Sequence, residues 1–216
     1  MTRTGRAATT IAVAGGLCLE RWGRTTRATR AEKRASLPGD DAVSDPQWQL
    51  TRAITIAAPP AQVWPWLVQM GYPKFRARWY APYCLDRIVW RIKDRSAERI
   101  IPELQTLTVG DRIPDSPDWS AFFTVQRLEP ERALVLYSTT HPLPMYTHVR
   151  FGWSFVLDDH HGSTRLIMRA RKHYTPVWPA PLVWLFFRVV MNIGDLLEAG
   201  SMLRGVRQRA TVHSTG

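Results

Sequence analysis

The chain has 216 residues, 45% of them hydrophobic, which is enough for one domain with a substantial core. Its formal net charge is +11, and its ten Trp are many for this length. The two cysteines, Cys18 and Cys84, exclude a disulfide framework and indicate a reducing compartment, so we expect a cytoplasmic protein.

The first 36 residues are strongly basic. They contain eight Arg and Lys against two Glu, Glu20 and Glu32, a net charge of +6. A mildly apolar run over 7–19 is too short to span a bilayer comfortably. We therefore expect residues 1–36 to form a basic leader that is disordered or bound to an anionic membrane surface, and residues 37–212 to form the domain. The domain carries no nucleic-acid-binding signature, so no nucleic acid partner is predicted.

A strand and two short helices are predicted at the start of the domain. Residues 50–57 alternate between two faces, which is typical of a strand. A helix is predicted to begin at about Pro60, and Pro65 should kink it or keep it short. A second short helix is predicted near 85–90.

The pattern in the central part of the chain predicts an antiparallel meander. Strands are predicted over 121–128, 133–138, 149–157 and 163–173, joined by short turns such as 158–162. In the clearest strand, Phe151, Trp153 and Phe155 alternate with polar or small residues. This alternation predicts one apolar face and one solvated face.

The last apolar segment, Pro181 to Ala210, predicts a long helix of about 45 Å at 1.5 Å per residue. Its apolar part is short and contains Arg188, so a membrane-spanning helix is not expected. The order of elements predicts an α+β fold, in which a curved antiparallel sheet wraps around this helix. Space left between sheet and helix is the expected ligand site.

Several segments carry a family resemblance: 37–41 (LPGDD), 51–71 (TRAITIAAPPAQVWPWLVQMG), Trp79-Tyr80, 109–111 (VGD), 128–136 (LEPERALVL), 153–157 (WSFVL), 164–166 (TRL) and 202–206 (MLRGV). They resemble the START-like superfamily, also called the Bet v 1-like or SRPBCC helix-grip fold, and most of all its bacterial polyketide cyclase/dehydrase-like branch. The resemblance covers roughly 37–210. It implies a fold that binds lipids, sterols, polyketides or other apolar molecules, in which only some members are enzymes.

One segment departs from that pattern. Many relatives have a Gly-rich stretch just before the Trp-Tyr pair, whereas this chain has Lys74-Phe-Arg-Ala-Arg78. If this loop lines the rim of the pocket, the ligand would carry an anionic end. The alternative interpretation is a solvated basic loop.

Large apolar residues are the predicted ligand-binding set, although ordinary core packing would explain about half of them. The set is Trp66, Trp79, Tyr80, Phe123, Tyr137, Trp153, Met168, Trp184, Phe187 and Met191.

No metal site, cofactor or catalytic residue is predicted, because neither metal-ligand spacing nor a nucleophile or phosphate-loop motif occurs. An enzyme of this kind would need a polar group that moves a proton inside the cavity. Candidates for that role are Asp86, Glu103, Tyr137, His148 and Arg150. The first hypothesis is a protein that binds, transports or sequesters a small hydrophobic molecule. The alternatives are a cyclase, aromatase or dehydratase-type enzyme, and a peripheral membrane lipid-handling protein.

Overall fold

The computed structural model describes residues 26–80, 95–140, 146–176 and 198–212. Its main element is a curved six-stranded antiparallel sheet with the order β1-β6-β5-β4-β3-β2. The strands are β1 (Trp48–Ile56), β2 (Arg112–Pro114), β3 (Phe122–Glu129), β4 (Ala133–Ser138), β5 (Tyr146–His160) and β6 (Ser163–Pro176). The α-helices are α1 (Arg30–Arg34), α2 (Pro60–Val68) and α3 (198–212), and short 3-10 helices occupy Asp40–Val43 and Pro102–Leu104. The α+β class is confirmed.

The hairpin between β5 and β6 is longer than predicted. The sequence predicted a five-residue turn over 158–162, but the pairing continues to His160 opposite Ser163. The true turn is His161-Gly162, and both residues have positive φ angles, 52° and 86°. Positive φ at both central residues is the geometry that matches the twist of a two-residue hairpin. The polar side chains of residues 158–160 do not end β5, because the backbone hydrogen bonds that pair it with β6 do not depend on the side chains.

Helix α3 packs against the face of the sheet that we call the inner face. Its buried residues Met202, Leu203 and Val206 belong to one apolar core with Phe155 and Leu166 of the sheet. The predicted helix Pro181–Ala210 therefore corresponds at its C-terminal end to α3. Its first part, like the helix predicted near 85–90, lies outside the described residues.

Gly205 of α3 marks a close approach between the helix and the loop before residue 81. A Cβ added at Gly205 would lie 2.6 Å from the backbone oxygen of Tyr80. We expect Gly205→Ala to lower the free energy of unfolding by about 1–3 kcal/mol, because backbone atoms must move. Urea unfolding measures the loss. Gly200→Ala is the matched control, since its nearest neighbours are side-chain ends of Thr26 and Arg204, at 3.2 and 3.4 Å. Equal losses in both variants would contradict the steric explanation.

The opposite, outer face is covered by residues 26–45, which we call the strap. The strap begins beside β1, where Arg27 forms an isolated bridge with Arg52. It continues through α1, whose first turn carries a capping box between Thr29 and Glu32. Ala28 of the strap joins a small apolar cluster with the outer-face residues Ala53 and Ile167, and Leu37 and Val156 pack against it. Residues 26–36, predicted as leader, thus lie against the sheet.

Arginines of β6 hold the strap by its carboxylates and carbonyl groups. Arg165 bonds both oxygens of Glu32 at 2.7 and 3.0 Å. Those bonds, together with the capping interactions of Thr29, hold the pKa of Glu32 at about 2. Arg169, only 2% exposed, reaches Asp40 Oδ2 at 2.7 Å as well as carbonyl groups of α1. The solvated face predicted from the sequence is therefore an interface within the chain.

Candidate functional site

The inner face of the sheet is packed along one half and accessible along the other. Phe155, Leu166 and Met168 are fully buried in the core that contains α3. Two residues earlier on β5, Trp153 is only partly buried, and so is Phe151. All five lie on the same face, so burial on this face decreases along β5 from Phe155 towards Phe151.

Aromatic rings cluster around the accessible half, where Phe151 and Trp153 are partly exposed and Trp79 and Phe123 are buried. The ring centroids of Trp153 lie 5.1 Å from Trp79, 5.5 Å from Phe123 and 5.7 Å from Phe151. Phe151 and Trp153 are nearly parallel, with an interplanar angle of 23°. These four rings and Trp48, at the start of β1, form what we call the inner aromatic cluster. Such rings offer wide apolar surfaces, and the indoles add hydrogen-bond donors.

A buried lysine lies within this cluster. Lys172 of β6 pairs in register with Trp48 on one side and Phe151 on the other. Its ammonium lies 4.5 Å from the Phe151 ring centroid and 5.0 Å from that of Trp48. The negative faces of the rings attract the cation, which helps an ammonium to remain in an apolar environment.

A carboxyl group faces the same interior. Asp115 follows β2, and its backbone N–H donates to the Ala121 carbonyl, which closes the loop 115–121. Although the residue keeps some exposure, protein surrounds its carboxyl group. Burial raises the pKa of Asp115 to about 7, despite the opposing effects of the Lys172 charge and a hydrogen bond from the Trp79 indole. The carboxyl group can therefore gain or lose a proton near neutral pH.

Asp115→Asn should flatten the pH dependence of stability. In the parent, the folded state binds a proton that the unfolded state releases above about pH 4, so Asp115 lowers stability as pH rises from about 4 to about 7. The variant lacks this group, so its advantage over the parent should grow across that interval and level off above it. Urea unfolding at pH 5, 6, 7 and 8 measures the difference. A constant difference would contradict the raised pKa.

Another polar atom of the cluster is the indole nitrogen of Trp153. Within the described ranges, Trp153 Nε1 is buried and has no hydrogen-bond partner. Most buried donors in proteins are paired, so an unpaired indole N–H is unusual. The site therefore combines apolar ring surface with a cation, an indole donor and a carboxyl group.

The predicted ligand-binding residues fall into three groups. Trp79, Phe123 and Trp153 come together in the inner aromatic cluster. Trp66, Tyr80 and Met168 are at most 3% exposed in the core, and Trp79 and Phe123 of the cluster, at 8% and 2%, are buried in the same core. The Tyr80 hydroxyl accepts from the Gln69 side chain and donates to the Trp66 carbonyl, so it is occupied within the protein.

The remaining predictions lie elsewhere. Tyr137 is opposite Gly152 and Thr124 on the outer face, because its neighbour Leu136 takes the inner position. The residues Trp184, Phe187 and Met191 lie outside the described residues.

The described members of the proton-moving set suggested by the sequence do not face the interior. Glu103 and His148 are exposed, and Asp86 lies outside the described residues. Arg150 pairs with Asp45 of the strap at 3.0 Å on the outer face.

Part of the basic loop 74–78 has a structural role. Arg76 donates to the carbonyl groups of Val68 and Met70, where α2 ends. Lys74 is exposed and lies over the Phe75 ring.

Sequence reasoning missed Lys172, Asp115 and Trp48. Lys172 had a signal, since Leu166, Met168 and Ala170 define an apolar row that Lys172 continues at the same period. A charge in such a row indicates a special position. Asp115 lies in a Pro-rich turn between a short strand and the next one, where an acidic residue is ordinary.

Two further observations bear on the class of protein. In the described parts of the chain, no helix is long and apolar enough to cross a membrane. The same residues contain no group of three His, Cys, Asp or Glu that could hold a metal ion.

No protein-family profile matches the sequence, and no curated protein matches it. Similar solved structures include protein NE0264 from Nitrosomonas europaea, 16% identical over 76% of this chain and 95% of its own, with a TM-score of 0.46. Protein Ms6760 from Mycobacterium smegmatis is 12% identical over 81% and 94%, with a TM-score of 0.44. Ara h 8.0201 is 10% identical over 76% and 98%, with a TM-score of 0.42. At such values, the description of the fold rests on the strand order and core contacts given above.

Proposed function

We propose that the chain binds a small hydrophobic or amphipathic molecule between the inner face of the sheet and the terminal helix. The observation that supports this most is the partial burial of Phe151 and Trp153 on a face where Phe155 is fully enclosed. A strand that served only the core would bury all three rings. Accessible rings in a concave surface provide the apolar walls that small-molecule sites use. Transport and sequestration would both begin with such binding.

The neutral dye N-phenyl-1-naphthylamine tests the proposal, because its fluorescence rises in apolar surroundings. We expect a saturable rise with the full chain. Trp153→Ala should weaken binding about tenfold, since one aromatic contact contributes on the order of 1 kcal/mol or more. Trp119→Ala is the control, because Trp119 is 42% exposed and contacts Phe75. A dye that does not bind, or binds both variants like the parent, would count against the proposal.

Catalysis is the second candidate, and one observation favours it. Asp115 titrates near neutral pH in the same interior as Lys172, and a general acid or base works best in that range. Such a group could abstract a proton next to a carbonyl group, as a cyclase or dehydratase step requires. Deuterium uptake into the methyl group of 2-acetylnaphthalene, followed by NMR, tests this activity. We expect uptake with the parent and none with Asp115→Asn; equal rates in both would argue against it.

A further inference from the structure

Arginines come together at the β1 edge of the sheet, where the strap and α3 meet it. Arg52 of β1 lies on the inner face, because its register partner on β6 is the fully buried Met168. Arg27 of the strap forms the isolated bridge with Arg52, and residues directly opposite each other in such a pairing project to the same face. The Arg27 and Arg52 side chains are therefore both on the side where α3 packs.

Helix α3 brings two more arginines to this edge. Gly200, Arg204 and Arg207 follow one another at spacings of four and three residues, which places them on one face of the helix. That face meets the start of the strap, since a Cβ added at Gly200 would lie 3.2 Å from Thr26 Oγ1 and 3.4 Å from Arg204 Nη2. Arg207 is partly exposed, so the edge is open to solvent. We call Arg27, Arg52, Arg204 and Arg207 the arginine cluster.

The positive charges of the arginine cluster act on one another. Burial and the charge of Arg27 lower the pKa of Arg52. Burial, and then the charges of Arg207 and Arg52, lower the pKa of Arg204 to about 10. Arg204 also has other interactions, and its lowered pKa means that its surroundings as a whole still disfavour the cation. The edge is thus a partly buried position of positive potential.

The described carboxylates closest in sequence to Arg27 and Arg204 are Glu32 and Glu198. Arg165 holds both oxygens of Glu32 on the outer face. Glu198 comes six residues before Arg204, about 9 Å along the helix at 1.5 Å per residue. Within the described ranges, Arg52 Nε is buried and has no hydrogen-bond partner. An anion at this edge would meet a donor as well as the positive potential.

We propose that the arginine cluster binds a phosphate monoester group, with Arg27, Arg52 and Arg207 as the side chains that contact it. The planar guanidinium donates two parallel N–H groups to oxygens of phosphate. A phosphate monoester presents three terminal oxygens and a charge of about −1.5 to −2 at pH 7, so it can accept from several guanidiniums and offset their repulsion. A soluble phosphate and a lipid head group both carry this chemistry.

This site is separate from the inner aromatic cluster and does not depend on the binding of an apolar molecule. Arg52 comes four residues after Trp48, about 13 Å along β1 at 3.3 Å per residue. The competing interpretation is that these arginines only fasten the strap and α3 to β1, as Arg169 fastens the strap on the outer face. In that case Arg52→Met would destabilise the protein, and phosphate would have no effect.

Methyl phosphate and dimethyl phosphate are the soluble probes, since they differ in having three or two terminal oxygens and neither has an apolar body. Their binding to the full chain is followed by ³¹P NMR at constant ionic strength. We expect methyl phosphate to bind at least about tenfold more tightly, and Arg52→Met and Arg207→Met each to weaken it about tenfold, because a charge-assisted hydrogen bond is lost. Arg127→Met is the matched control, since it removes the same charge from an exposed ion pair on β3.

Urea unfolding supplies a readout that a purely structural role would not give. Methyl phosphate should raise the unfolding midpoint of the parent, because it binds the folded state, and should not raise that of Arg52→Met. Without phosphate, Arg52→Met should unfold at the same or a higher urea concentration than the parent, since one of several like charges has been removed.

Vesicle flotation distinguishes the two sources of the phosphate. Phosphatidylcholine vesicles carry an equal fraction of either phosphatidic acid, a monoester, or phosphatidylglycerol, a diester. A preference of the full chain for phosphatidic acid that Arg52→Met loses and Arg127→Met keeps assigns the site to a lipid head group. Binding of methyl phosphate without that preference assigns it to a soluble phosphate.

The proposal is overturned if methyl phosphate does not bind and the vesicle preference is absent or unchanged in Arg52→Met. Equal affinity of the parent and Arg52→Met for methyl phosphate would also overturn it, and so would equal affinity of the parent for the two esters. Should Arg52→Met not fold, Arg207→Met makes the same comparisons from the partly exposed face of α3. Each of these outcomes leaves the result of dye binding untouched.

Discussion

Replacing Arg169 with alanine is expected to destabilise the protein by about 3–5 kcal/mol, because it removes one partner of a buried ion pair. The guanidinium bonds Asp40 at 2.7 Å, the Ala35 carbonyl at 2.8 Å and the Glu32 carbonyl at 2.7 Å, and Nε bonds Thr51 at 3.1 Å. Without it, the carbonyl groups of Glu32, Lys33 and Ala35 lose their shared donor, and the Asp40 carboxylate keeps Arg171, at 3.2 Å, as its remaining arginine partner. Urea unfolding followed by Trp fluorescence measures the loss.

An exposed ion pair between an arginine and a glutamate on the same sheet supplies the control. Arg127 bonds Glu129 on β3, and the Arg127 side chain is 53% exposed. Arg127→Ala should cost about 0–1 kcal/mol, which is usual for surface ion pairs. If Arg169→Ala costs no more than Arg127→Ala, the strap is not held by the bonds described above. Limited proteolysis adds a second readout, because Arg169→Ala should expose cleavage sites within residues 26–45.

The second large effect is expected at Phe155. Phe155→Ala should lower the free energy of unfolding by about 3–5 kcal/mol, since it opens a cavity in the filled half of the inner face. Trp153→Ala, two residues earlier on the same strand and face, should cost only about 1–2 kcal/mol because part of that ring is already accessible. The larger side chain should therefore give the smaller loss. The same urea titrations compare the two variants.

This comparison tests the division of the inner face directly. If Trp153→Ala is as costly as Phe155→Ala, the region around Trp153 is packed like a core and leaves no room for a guest. Dye binding gives the complementary result: Trp153→Ala should weaken it, whereas any Phe155→Ala variant that remains folded should keep it.

The antiparallel meander from β3 to β6 was predictable because local signals determine it, whereas the pairing of β1 with β6 joins distant parts of the chain and was not predicted. The alternation along β5 identifies both faces, and the proline pair at 59–60 marks where β1 gives way to α2. The strap was not predictable in this way. The polar positions of β6 are occupied by Arg165, Arg169 and Arg171. The sequence pattern is the same whether such a side chain faces water or a carboxylate of another segment, and here the partners are carboxylates.

The site was predictable in its apolar part only. Trp79, Phe123 and Trp153 follow from composition and strand alternation, since large rings at inward positions must line or fill the interior. Whether a given ring fills the core or lines an accessible surface depends on how far the core extends. The sequence pattern does not give that extent, because it is set by the three-dimensional packing. The meeting of Asp115 with Lys172 also depends on the strand order, because β2 and β6 are far apart in the sheet and approach only through its curvature.

The strap changes how shortened forms of this protein must be interpreted. Cutting the chain before Leu37 would discard Ala28 and Glu32, so Ile167 would meet solvent and Arg165 would lose both of its carboxylate bonds. If such a truncation lost activity or affinity for vesicles, the loss would result from a destabilised fold and not from the absence of a membrane-binding segment. A deletion that stops before Thr26 leaves those contacts intact, and it is the form in which the role of the basic tail itself can be measured.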